Sequence, residues 1–225
     1  MAAPIAVYLE IGAKRTFAGA IEWPGWCRIG KSEDEALDAL LAYAPRYAPV
    51  VQAAGLALGH VSDLGIVERL PGGSGTDFGA PSVAPEADQR PLTQAELDRQ
   101  SRLLVASWQA FDIAWSEVAE AGGELRKGPR GGGRDLPKMQ LHILDAEEAY
   151  LTRLGSRVPH GAATVAERTS AVRDAALAAM AARARGESIA DPSAVERRWE
   201  PRYFVRRSAW HALDHAWEIE DRERP

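Results

Sequence analysis

Five histidines occur in this chain, and two of them, His211 and His215, stand four residues apart. On a helix that spacing puts both imidazoles on one face, one turn apart, where their nitrogens can share one metal ion. A third, His142, falls in the middle of a separate helical stretch, among Leu141, Ile143 and Leu144. If a bundle brings the two stretches face to face, three imidazoles converge, as side chains do in metal-binding bundles. Three neutral imidazoles with open positions for water or substrate make a catalytic type of site rather than a closed structural one. Zn²⁺, Ni²⁺ and Fe²⁺ all accept imidazole. Such an ion can polarise a substrate oxygen, or lower the pKa of a water or thiol that acts as nucleophile. The alternative is a set of core or surface histidines bonded to carboxylates, and spacing alone leaves both open. His60 and His160 lie beside glycines and receive no role.

Several neighbours bear on this chemistry. Glu218 follows His215 by three residues, and Asp145 follows His142 by three. Each is a candidate acceptor for an imidazole N–H or a general base, against the commoner state of a solvated helix carboxylate. Asp214, between the paired histidines, should point away from them. Upstream of His142 runs LRKGPRGGGRD, with Arg126, Lys127, Arg130 and Arg134, and Lys138 nearby. Glycines admit close backbone approach, and the helix start adds positive potential, so a carboxylate or phosphate of a cosubstrate has a docking place there. The Gly-Lys-Ser/Thr ending of a P-loop is missing, and a solvated basic loop is the plainer alternative. Trp108, Trp115, Trp210 and Trp217 stand at helical spacings and are read as core or pocket wall. Cys27, without a second cysteine, is read as a small buried apolar residue.

The elements that must position these residues change in period along the chain. Ile5, Val7, Leu9 and Ile11 alternate as a strand does, and TFAGAIEW (16–23) is a second β-rich run. Gly12–Arg15 fits a hairpin connection, Pro24-Gly25 a turn, and WCRIG a short third strand. Ser32 precedes Glu35 by three, the signature of a capped helix start, and that helix should stop or kink at Pro45. Val61–Leu70 alternates imperfectly and is a weaker strand candidate. The expected unit over 1–70 is thus a small antiparallel sheet with one helix, best buried against something else. Residues 71–91 hold four prolines and four glycines and read as a linker, or as a lid loop around Asp77–Pro81. Over 92–225, Thr93/Glu96 and Thr164/Glu167 are capping boxes and Asp135 is a cap. Leu97, Ser101, Leu104, Trp108, Phe111, Trp115 and Val118 form a seam. A short helical turn is expected from Asp191-Pro192, and a last helix from Pro201 to about Arg222. The fold class expected is α+β, the sheet unit followed by an antiparallel four-helix bundle.

Composition bounds the partners. The chain has 225 residues, with 46% apolar and 26% charged residues, an ordinary mix for a folded protein. A net charge of -5 disfavours a general nucleic-acid binder. No run approaches the ~18–20 apolar residues of a spanning helix. The first residues carry Glu10 and lack the basic start of a signal peptide, and the single cysteine agrees with a cytoplasmic setting. A small-molecule substrate is expected, and the bundle leaves room for a homodimer.

Two stretches carry family resemblances. HILDAEEAYLTRLG after GGGRD, together with WHALDHAWEIEDR, resembles the DinB/YfiT-like four-helix-bundle superfamily over about residues 93–222. Members typically place one metal-binding histidine on the second bundle helix and an HxxxH pair on the last. The resemblance therefore implies that His142, His211 and His215 hold a divalent metal. It further implies a thiol-dependent S-transferase or isomerase, using a low-molecular-weight thiol such as mycothiol or bacillithiol, or a hydrolase. YLEIGAKRTFAGAIEWPGWCRIGKSEDEALDAL is similar to the HicB antitoxin fold through Pro24, Gly25, Gly30 and Glu35-Ala36-Leu37. That resemblance implies a small sheet with a helix, although here a bundle follows in place of a DNA-binding element. The other functions in view are a stress-response or partner-binding protein with a structural metal, and an antitoxin-like module.

Overall fold

The computed structural model describes residues 4–59, 61, 63–127, 133–158, 164–187 and 198–223. Arg130, His60, His160 and the helical turn expected from Asp191 lie outside the described residues.

Strands β1 (Ile5–Ile11), β2 (Thr16–Ala20), β3 (Cys27–Gly30) and β4 (Leu64–Pro71) form one sheet in the order β3-β2-β1-β4. β1 with β2, and β2 with β3, pair antiparallel. β4 pairs parallel to β1, so the sheet is mixed and not the antiparallel one expected. The reason is the connection. Between β3 and β4 lie two helices, α1 (Glu33–Ala42) and α2 (Ala44–Ala53), and a helical crossover returns the chain to run in the same direction, which a hairpin cannot do. Two helices stand where one was expected. α1 starts where Ser32 Oγ accepts from the Glu35 N–H at 3.2 Å. Pro45 lies in the first turn of α2, where no backbone donor is missed, so it opens a helix rather than merely ending one.

The two faces of the sheet are covered differently. Val7, Leu9, Ala18 and Ala20 share a core with Leu40 of α1 and Tyr47 and Val51 of α2. That core continues into Leu103, Leu213 and Trp217 of the long helices, so the sheet unit is packed onto them. On the opposite face, Tyr8 lies across Gly19, where a Cβ would fall 2.4 Å from the ring, so only glycine fits. Phe17 and Cys27 pack there against Trp210.

The segment after β4 is built on this second face. It contains a helical turn, α3 (Ser74–Phe78), and a 3₁₀ turn at Glu86–Gln89. Glu10, fully buried, accepts from Thr76 Oγ1 at 2.5 Å and from the N–H groups of Ser82 and Val83 at 3.0 and 3.1 Å. Asp77 accepts from the backbone of Ala13, Lys14 and Arg15 at 3.3, 2.7 and 3.2 Å and so closes the β1–β2 turn. Asp88 forms a buried bidentate pair with Arg206 at 2.6 and 2.8 Å.

Four long helices follow: α4 (Gln94–Glu120), α5 (Leu136–Leu154), α6 (Val165–Ala184) and α7 (Pro201–Arg222). Thr93 with Glu96 and Thr164 with Glu167 form reciprocal capping boxes, and Asp135 caps α5. The four share an apolar core that includes Leu104, Trp108, Phe111, Leu144, Met180 and Phe204. α7 packs against α4 and α5, and also enters the sheet's core. Most of its residues are buried, which is the condition of a central helix. Among the described residues no helix is long and apolar enough to cross a membrane.

Candidate metal centre

α5 lies against α7, and this packing brings His142 to His211 and His215. The ring centroids are 4.8–5.1 Å apart, and one nitrogen from each ring falls within 4.8 Å of the others. The three lie close enough to bind one metal ion. Nε2 of His142 stands 3.1 Å from Nε2 of His211. With metal–nitrogen bonds of about 2.0–2.1 Å, two tetrahedral ligands sit about 3.4 Å apart, so that pair is near the required spacing. Two ring nitrogens at this distance share either one proton or one cation.

The electrostatics favour neutral rings at two of the three positions. Burial, then the charges of Arg134 and His215, pushes His142 down to about 4. His211, only 8% exposed, is held well below the ordinary histidine value by burial first, and then by His215 and Arg207. Neutral imidazole is the ligand form.

His215 is fixed by a carboxylate. Its Nδ1 lies 2.8 Å from Oε2 of Glu218, so Nδ1 carries the proton and Nε2 keeps the lone pair that can bind an ion. Arg222 Nη1 meets the other oxygen of Glu218 at 2.5 Å. Burial raises the Glu218 pKa, but hydrogen bonds from His215 and Arg222 outweigh it and hold the group below the usual value. Arg222 donates onward to the carbonyls of Arg126 at 2.8 Å and Arg134 at 3.0 Å. The basic segment before α5 is therefore tied through Arg222 and Glu218 to a histidine of the site.

The other sequence candidates separate. Asp145 is exposed, and no hydrogen bond joins it to His142 among the described residues. Asp214 turns away from the histidines, as its place on the helix requires, and pairs with Arg28 at 3.0 Å. Arg134 is near enough to depress both His142 and His211. Arg126 and Lys127 line a cleft that Glu218 also lines. The candidate lid, Asp77–Pro81, packs on the sheet, where Ala80 reaches the Phe17–Trp210 cluster. Cys27 is buried, with its thiol pushed up to about 12 by burial.

Two residues of the site, Tyr150 and Arg222, carry no expectation from sequence, and a third, Trp210, carries only that of core or pocket wall. Trp210 stacks on His211 with ring centres 5.9 Å apart and planes at 24°. Tyr150 of α5 lies 5.8 Å from His211 and accepts from Arg207 at 3.1 Å. Arg222 completes the link to Glu218. The signal for Arg222 was present: it stands four residues after Glu218, on the same face of α7. A second cleft of about 550 Å³, lined by Trp108, Trp115 and Arg173, holds none of the histidines.

A comparison of the chain with protein-family models, with curated proteins and with solved structures finds no match.

Proposed function

We propose that the chain is a divalent-metal enzyme acting on a small molecule, by thiol-dependent S-transfer or isomerisation or by hydrolysis. Its helical part is read as an antiparallel four-helix bundle of the DinB/YfiT-like kind, and its first part as HicB-like. The observation that carries the reading is the convergence of three imidazoles from two helices, one of them oriented by a carboxylate. Structural sites are usually closed by four protein ligands, whereas three leave a position for a reactant.

His142, His211 and His215 would hold the ion, with Zn²⁺, Ni²⁺ and Fe²⁺ all compatible with imidazole. The bound ion would supply Lewis acidity, making a thiol or water nucleophilic near neutral pH. Glu218 has both oxygens engaged, by His215 and Arg222, so it serves to orient His215 rather than as a free general base. Trp210 and Tyr150 shield His211 from water, which strengthens the electrostatics on that side.

The test is conjugation of an electrophile, 1-chloro-2,4-dinitrobenzene, by Zn²⁺-loaded protein with mycothiol, bacillithiol or 2-mercaptoethanol. Turnover that needs both thiol and metal, and is lost in His211→Ala, is expected. Metal-dependent hydrolysis of an activated ester without thiol would select the hydrolytic branch. The absence of both activities would overturn the proposal.

A further inference from the structure

Glu218 faces two environments. One is His215; the other is a cleft of about 560 Å³, within the size range of small-molecule pockets. Arg28 and Tyr43 of the N-terminal unit line it, together with Trp217 and Arg222 of α7 and with Arg126 and Lys127. Tyr43 and Trp217 meet edge to face at 5.1 Å, and the Arg28 guanidinium lies 4.0 Å over the Tyr43 ring. The edges of these two rings form the apolar side of the cleft.

Its charges do not cancel. Each carboxylate at the cleft already has a cation: Asp214 has Arg28 at 3.0 Å, Asp221 has Arg46 at 2.9 Å, and Glu218 has Arg222. Among the described residues the Arg126 side chain meets the backbone carbonyl of Asp221, at 2.7 Å, and no carboxylate pairs with it or with Lys127. Two exposed cations thus remain at a cleft whose anions are committed.

We propose that this cleft binds a small organic anion, its carboxylate or phosphate held by Arg126 and Lys127 and its apolar portion beside Tyr43 and Trp217. The N-terminal unit then forms one wall of the binding site. The ligand's role as cosubstrate rests on the metal-enzyme reading, but its binding does not, because the cleft is complete without the ion.

The test uses EDTA-treated and Zn²⁺-loaded full chain, following the Trp217 indole N–H by NMR, assigned with Trp217→Phe. The probes are 1-naphthoate, 1-naphthyl phosphate and the neutral 1-naphthylmethanol. Both anions should bind with one-to-one stoichiometry, about tenfold tighter than the alcohol, a difference of the size expected for charge-assisted hydrogen bonds. The tighter anion names the head group. Arg126→Gln/Lys127→Gln, which alters only exposed side chains, should remove the preference for anions, and His211→Ala should keep it. No binding, equal binding of the alcohol, or an unchanged preference in the double variant overturns the proposal. Anion binding in a protein that takes up no metal would overturn the metal-enzyme reading alone.

Discussion

Glu218 accepts a hydrogen bond from Nδ1 of His215 at 2.8 Å, across one turn of α7. The bond fixes the tautomer and leaves Nε2 as the nitrogen able to bind an ion. Removing such an orienting acceptor typically costs 10–100-fold in metal affinity. Glu218→Gln should therefore bind Zn²⁺ about tenfold or more weakly in a competition titration with a chromophoric chelator. An unchanged affinity would mean that His215 needs no help to orient.

The Arg206–Asp88 pair is buried on both sides and ties the 3₁₀ turn to α7, while Arg206 also donates to the carbonyls of Ala20 and Ile21, each at 2.9 Å. Breaking it strands a buried guanidinium. Asp88→Ala should lose about 3–5 kcal/mol in urea unfolding. Glu187→Ala, which removes an exposed partner of Arg185, should leave the urea midpoint unchanged.

Glu10 holds the segment after β4 through Thr76, Ser82 and Val83. Its removal leaves those donors without their acceptor. In Glu10→Ala, limited proteolysis between residues 72 and 83 should speed up by about tenfold or more, the response of a released segment. Equal cleavage rates in wild type and variant would show that other contacts hold the segment.

The N–H and hydroxyl of Thr93, with Arg202, hold Glu96 down to about 2 against an ordinary 4.5. The native state therefore binds this proton less readily than the unfolded chain. The stability that Glu96 contributes is full above about pH 4.5 and is lost as the pH falls toward 2. In urea unfolding as a function of pH, wild type should exceed Glu96→Gln at neutral pH, and the gap should close over that window. A gap independent of pH would exclude the ionised carboxylate as its source.

Much of this architecture is legible in the residues, and what is not has identifiable causes. The alternation of Ile5, Val7, Leu9 and Ile11 marks β1, and the capping boxes at Thr93 and Thr164 mark the starts of α4 and α6. The parallel pairing of β4 is invisible locally, because strand direction is decided by the path of α1 and α2 between β3 and β4. Pro45 marks a boundary in either reading, but whether the chain resumes as helix depends on Tyr47 and Val51 finding the sheet's core. Residues 71–91 look unstructured by composition, since their order comes from Glu10 and Arg206, distant in sequence. The three histidines stand out by spacing and resemblance. Tyr150 does not, and Trp210 shows only as core or pocket wall, since their places beside His211 follow from the packing of α7 and α5.

On the proposed reading, His142, His211 and His215 hold one divalent ion. The most direct test is elemental mass spectrometry of untagged wild type beside His142→Ala and His211→Ala. About one equivalent of a transition metal is expected in wild type and little in either variant. Metal-free wild type after reconstitution, or equal metal in all three, would contradict it.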